Sequence, residues 1–355
     1  MQIETWHILV WVALMWFASL DPRMSRTEIV FESEVRRYKR VFACLLFLPV
    51  ILMAAYGPKR SDVWAYMNAY RNMPGTLRLG WNYIQAADEP GFALFSIVTK
   101  QLFSGSESAY RLLIALVHAI PLIAVLRKYS DNFIFSFYVF VASGIHLSWM
   151  MNGLRQFMAV TMIFVTTPWL IQKKYFRVIL VILLAATFHR TAIVMLPVVF
   201  IVQGKAWNWK TNILIMASVL ATYYIAQNVD VFDTFVETVG YSLEAAYQSG
   251  DDGTNPIRVL VNAIPMIMAF ISRKRLRAEN NPIINICINM SVITTGIYLM
   301  SMVTSGIMVG RMPIYTSLYN LILLPYVIKV TFDKALQRYV VISAVIAYYL
   351  YGIMG

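Results

Sequence analysis

Apolar stretches at or near the length of a bilayer core recur from one end of this 355-residue chain to the other, and no polar stretch of domain size stands between them. A helix needs about 20 apolar residues to cross the hydrocarbon core, and it satisfies its backbone hydrogen bonds internally, as a span must. The pattern therefore predicts an all-α, polytopic transmembrane helical bundle, with residues 1–355 forming a single integral membrane domain. Hydrophobic residues are 59% of the chain and charged residues 14%, which excludes an ordinary soluble globular protein. The first apolar segment follows Glu4 rather than a basic stretch, so it reads as a retained anchor.

Sidedness follows from the basic residues. They cluster between apolar segments, at residues 23–40, at Arg127 and Lys128, at Lys173, Lys174 and Arg177, and at residues 273–277. Cytoplasmic loops carry such clusters, so topology accounts for the net charge of +12 without nucleic acid as a partner. The crossings are then 5–20, 41–57, 109–126, 133–150, 157–171, 212–227, 259–271, 282–303, 313–330 and 340–354, about ten in all. Residues 91–104, interrupted by Lys100, read as re-entrant or in-plane, and 178–203 as a re-entrant pair of half-helices bent near His189 and Arg190. Outer loops cover 58–88 and 229–256; the first holds an amphipathic helix with Val63, Trp64, Met67 and Tyr70 on one face.

On this topology Arg71, Arg78, Arg111, Arg155, Arg258 and Arg311 fall at or near the outer face, together with Glu89. The positive-inside pattern gives no reason for cations there. An anionic ligand does, and guanidinium, with a planar fork and permanent charge, suits phosphate. Arg155 opens the apolar run 157–171, where facing lipid would cost roughly 2.5 to 3.5 kcal/mol at mid-membrane. It is expected to face protein or water, with Asn152 and Gln156 orienting a ligand and Gly153 permitting close approach. A lipid-linked phosphate or pyrophosphate is the natural ligand; a set of arginines snorkelling to headgroups is the alternative.

His189, beside Arg190 at the expected helix break, reads either as a proton carrier or as a satisfied structural histidine. Glu89-Pro90-Gly91 is a rigid turn whose carboxylate reads as a general base, a sugar-hydroxyl acceptor or a solvated loop group. His118 and His146 read as structural. Trp64 and Trp81 are placed to stack on sugar rings. Cys44 and Cys287 lie in apolar runs, and Asp251-Asp252 has no further ligand at metal spacing, so neither a disulfide framework, a metal nor another cofactor is expected.

With these residues the chain resembles the EpsG-like branch of the Wzy-type O-antigen and capsule polymerases. The matching features, in order, are Asp62 and Tyr66; Glu89-Pro90-Gly91-Phe92; Asn152-Gly153-Leu154-Arg155-Gln156; Phe188-His189-Arg190-Thr191-Ala192; and Arg311 with Tyr315 before Leu324-Pro325. Arg190 departs from it, standing where a smaller residue or lysine is expected. The resemblance implies a GT-C-like membrane glycosyltransferase of the bacterial inner membrane, its site facing the periplasm. It would take undecaprenyl-pyrophosphate-linked oligosaccharide as substrate and share a pathway with a chain-length regulator and a flippase. His189, Glu89 and Arg155 would carry catalysis, and Arg71, Gln156, Asn152, Arg190, Arg258, Arg311, Tyr315 and Asp62 would hold pyrophosphate and sugar. Two other readings compete: a flippase or exporter of the same lipid-linked sugar, and a membrane acyltransferase built around His189.

Overall fold

In the computed structural model, residues 4–30, 33–59, 62–227, 253–306 and 308–354 are described; of the expected outer loop 229–256, the part up to 252 lies outside them. Two compact units are distinguished, residues 1–195 with 339–355, and residues 196–338.

The first unit is organised along helix α6. Its elements are α1 (Thr5–Ala18), β1 (Ser25–Val30), β2 (Ser33–Tyr38), α2 (Arg40–Tyr56), α3 (Asp62–Asn72), α4 (Leu77–Ala86), α5 (Pro90–Leu102), α6 (Glu107–Tyr129), α7 (Phe133–Ala142), α8 (Ile145–Asn152), α9 (Leu154–Phe164), α10 (Thr167–Ile171) and α11 (Tyr175–Phe188). With 23 residues, α6 is about 35 Å long, and α2 packs along it. Near its start, buried Arg111 donates through Nη2 to the carbonyls of Ala54 (2.9 Å) and Gly57 (2.8 Å). Those carbonyls end α2 and have no partner within the helix, so Arg111 is a cap for α2.

The other end of α6 holds the one departure from an all-helical pattern among the described residues. Strands β1 and β2 form an antiparallel hairpin, Ser25 opposite Tyr38 and Val30 opposite Ser33. A lone two-stranded hairpin is marginal in water, and here α6 fastens it. Arg127 donates to both carboxylate oxygens of Glu28 (2.9 and 3.0 Å) and to the Tyr38 carbonyl (2.7 Å), while Arg37 donates to the Lys128 carbonyl (2.9 Å). The two basic stretches expected on one side of the membrane thus meet at one end of the unit.

At the opposite end, α3 buries Val63, Met67 and Tyr70 as expected, but Trp64 is 60% exposed. One residue further along a helix is about 100° further round, which carries Trp64 off the buried face. Helix α5, 13 residues long, spans about 20 Å and is too short to cross a bilayer. Lys100, which breaks its apolar run, donates to the carbonyls of Tyr70, Arg71 and Met73 at 2.6–2.9 Å. A cation on the last carbonyls of α3 satisfies groups the helix leaves open and complements its dipole.

Two helix breaks shape the rest of this unit. The apolar segment 133–150 is bent by 68° between α7 and α8, at Gly144 with φ +70°, a conformation that favours glycine. Helix α11 ends at Phe188; His189 is extended (φ −155°, ψ 115°) and a 3-10 turn, Arg190–Val194, follows. The expected break at His189 is present.

The second unit holds α12 (Met195–Ile201), which starts at its edge, α13 (Trp209–Gln227), α14 (Pro256–Ile271), α15 (Arg273–Glu279), α16 (Pro282–Ser301), α17 (Ile314–Ser317), α18 (Asn320–Thr331) and the start of α19 (Lys334–Met354). Helix α16 is buried along most of its length. Its polar residues are paired across the packing: Asn289 donates to the Val202 carbonyl (3.0 Å), Thr294 meets Thr316 (2.7 Å), and Ser301 donates to Thr254 (2.8 Å). Both cysteines are free.

Three described helices, Glu107–Tyr129, Pro282–Ser301 and Lys334–Met354, are long and apolar enough to cross a membrane, and up to six spans result if each bent pair counts as one. The reading of about ten crossings also counts shorter apolar helices such as Thr5–Ala18, Arg40–Tyr56 and Leu154–Phe164.

The Glu28 anchor has a pH signature. The hydrogen bond from Arg127 foremost, opposed by burial and helped by Arg26, pulls the Glu28 carboxyl down from its ordinary 4.5 to about 2. An ionised Glu28 therefore stabilises the fold fully above about pH 4.5, and that contribution is lost as pH falls toward 2. Thermal unfolding of the detergent-solubilised protein should show Glu28→Gln below wild type by a constant interval above pH 5. The gap should narrow as pH is lowered from 4.5; a gap of the same size at every pH would contradict the assignment.

Candidate active site

Three helix ends and one helix face converge in the first unit. Glu89 is the residue before α5, whose first position is Pro90, a residue suited to a helix start because its φ is fixed and it has no N–H to satisfy. Arg155 stands in the first turn of α9, and His189 closes α11. Tyr66 comes from α3. Helix α11 packs on both α5 and α9. The fit against α5 depends on Gly91: a Cβ there would lie 2.1 Å from Thr187 Oγ1 and 3.1 Å from the Phe188 ring. Gly153, between α8 and α9, has the same kind of constraint, since a Cβ would lie 2.3 Å from the Trp149 ring.

Glu89 is the centre of the arrangement. Its Oε1 is 2.6 Å from His189 Nδ1 and its Oε2 is 2.5 Å from Arg155 Nη1. Arg155 also donates from Nε to the Tyr66 hydroxyl (3.3 Å) and lies over the rings of Tyr66 and Phe92, 5.3 and 5.9 Å from their centroids. Next to this group Arg190 pairs with Asp88 at 3.2 Å. Side-chain exposure rises from 7% at Glu89 through 23% at His189 and 40% at Arg155 to 61% at Arg190. Glu89 is thus the buried centre of the cluster, and its partners lie progressively nearer the surface.

Beneath lies an apolar floor, with Met67, Phe92, Ile97, Leu154 and Met158 packed around the stacked rings of Tyr70 and Tyr110 (4.0 Å, 9°). Burial by this floor would raise the Glu89 carboxyl, but the His189 hydrogen bond and the Arg155 charge outweigh it and hold the group below its ordinary value. An ionised carboxylate only accepts hydrogen bonds. The network therefore places a proton on His189 Nδ1, so that in the singly protonated ring Nε2 is the nitrogen free to accept one.

The other expected residues are distributed as follows. Arg71, at the end of α3, is paired with Glu107, which also takes Lys59. Asp62 is the first residue of α3, where a carboxylate is favoured by the helix dipole. Gln156 is buried in α9, and Asn152 lines a separate cavity together with Arg111. Arg78 is exposed on α4. Arg258, in the first turn of α14, and Arg311, ending a 3-10 turn, are exposed; Tyr315 is buried in α17. These last three belong to the second unit. His118 contacts the Leu154 carbonyl (3.2 Å) and His146 stacks on Phe140, both buried. Among the described residues no three His, Cys, Asp or Glu side chains gather as a metal would need.

Asp88, the partner of Arg190, is the site residue that sequence reasoning passed over. The signal was present: Asp88-Glu89 and His189-Arg190 are adjacent pairs of complementary chemistry, and they meet across 100 positions of chain.

A protein-family model described as the EpsG family matches residues 40–354. Comparison with curated proteins and with solved structures finds no match.

Gly91→Ala should cost about 1–3 kcal/mol, the usual range for overpacking a tight contact, and lower the thermal midpoint. Gly75→Ala, where nothing lies within 4 Å, should leave the midpoint unchanged. Equal midpoints for the two variants would contradict the close approach of α5 to α11.

Proposed function

This chain belongs to the EpsG family, polysaccharide-polymerase-like membrane proteins, and we propose that it is a glycosyltransferase that polymerises lipid-linked repeat units. It transfers a growing glycan from undecaprenyl pyrophosphate to the non-reducing end of a new lipid-linked unit, at the outer face of the bacterial inner membrane. The observation that carries this reading is the Glu89–His189 pair, 2.6 Å apart, with Arg155 on the second carboxylate oxygen.

An acceptor hydroxyl attacks the anomeric carbon of the donor glycan. The new glycosidic C–O bond forms as the bond from that carbon to the pyrophosphate oxygen breaks. The hydroxyl proton goes to His189 Nε2, and Glu89 steadies the imidazolium that results, through the Nδ1–H it already holds. Negative charge grows on the departing pyrophosphate. Arg155, its side chain 40% exposed, has further N–H donors to offer it, and the Arg190 side chain is engaged by an exposed ion pair with Asp88, an interaction worth little in water. Donors aimed at developing charge commonly contribute more to such catalysis than any other single effect. Arg71, Gln156 and Asp62 are proposed as sugar and phosphate contacts of the first unit, Asn152 as a sugar contact, and Arg258, Arg311 and Tyr315 as anion contacts of the second unit.

Purified protein given lipid-linked repeat units should yield a ladder of products. His189→Gln, whose amide N–H can still donate to Glu89 but which has no basic nitrogen, should slow bond formation by about 10² to 10⁴-fold, the usual contribution of a general base, with the thermal midpoint close to wild type. Arg155→Lys keeps the charge but loses the planar fork and should also fall by on the order of tenfold or more. A ladder of normal rate from His189→Gln would remove the histidine from the mechanism.

A further inference from the structure

A second hollow in the first unit takes no part in the cluster around Glu89. Its volume is about 710 Å³, and it is bounded by the start of α1, the end of α2, the first turns of α3 and α6, and α8, within the ~300–1,000 Å³ typical of sites that enclose small ligands. Neither Glu89, Arg155 nor His189 lines it, yet it adjoins them through two short stretches of chain. Asn152 and Val63 line the cavity. Arg155, three residues past Asn152, and Tyr66, three residues past Val63, are partners of each other in the Glu89 cluster.

The lining narrows the occupant. Glu4, Arg111, Ser148 and Asn152 present charged donors, charged acceptors and neutral groups of both kinds, with the Trp6 indole and Met151 beside them. A lipid tail has no use for four polar side chains. A phosphate would meet the Glu4 carboxylate, and the single guanidinium there already gives Nη2 to the Ala54 and Gly57 carbonyls. A neutral polyhydroxyl ring uses all of these groups: hydroxyls both donate and accept, and the apolar face of a sugar packs on an aromatic ring. We propose that this cavity is a saccharide-binding subsite, holding sugar units next to the bond that the Glu89–His189 pair makes. The proposal rests on the glycosyltransferase reading for which sugars arrive there, and its test does not depend on turnover.

Ser148 is exposed to the cavity, so Ser148→Cys places a small thiol on its wall. In the full-length Cys44→Ala background, which removes the exposed native cysteine and leaves only buried Cys287, maleimide alkylation reports on access to that thiol. The probe is the free oligosaccharide released by mild acid from the lipid-linked repeat units, with undecaprenyl phosphate as a second arm. Saturating oligosaccharide should slow alkylation at least fivefold, and undecaprenyl phosphate should leave it unchanged. Unchanged alkylation with oligosaccharide, slowing by undecaprenyl phosphate instead, or a thiol that never labels in folded protein would each overturn the subsite. Protection that saturates, beside a normal rate from His189→Gln, would uphold the subsite and sink the catalytic reading, so the two failures are distinct.

Discussion

A carboxylate 7% exposed above an apolar floor is costly unless its charge is met, and at Glu89 it is met twice. Removing one partner of such a buried pair leaves an uncompensated charge and typically costs about 3–5 kcal/mol. Arg155 and His189 are thus structural requirements of Glu89 before they are anything else. Their placement explains several local features together. Pro90 starts α5 so that Glu89 faces the end of α11; Gly91 allows that approach; the α8–α9 junction at Gly153 turns Arg155 inward; and the Tyr66 hydroxyl and ring hold the guanidinium from the other side. The same balance that lets the carboxylate stay charged leaves a basic nitrogen on His189, and this is the link between packing and chemistry.

The first unit has two ends of different character, separated by the length of α6. One end is closed by the hairpin, with Arg127 and Arg37 holding strands to helix. The other carries Lys59 and Arg71 on Glu107, the Glu89 cluster and the cavity at Arg111. The basic residues of 23–40 meet Arg127 and Lys128 at the first end, and Arg71, Arg111 and Arg155 are at the second.

The helical membrane character was legible because apolar run length and charge clustering are local properties, and so was the break at His189, where a polar pair interrupts an apolar run. The motif residues Glu89, Arg155 and His189 were legible singly. Their union was not, because the partners of each lie dozens to 100 positions away and no periodicity reports such a distance. The same limit hid the roles of Lys100 and Arg111. Read as an interruption and as a ligand cation, both cap neighbouring helices through backbone carbonyls, a role visible only when the helix end they serve is in place. Trp64 was misplaced for a simpler reason, since its neighbour Val63 already occupied the buried face. The hairpin was missed because the side chains that secure it are charged and their anchor is 99 positions away.

The account depends on where one proton sits. Nitrogen-15 NMR of the histidine-labelled protein, with the His189 signals identified by their loss in His189→Gln, reads this directly. The account predicts a neutral ring protonated at Nδ1, with that proton far downfield from its bond to Glu89 and Nε2 bare. A ring protonated at Nε2, with Nδ1 accepting from a protonated Glu89, would contradict it.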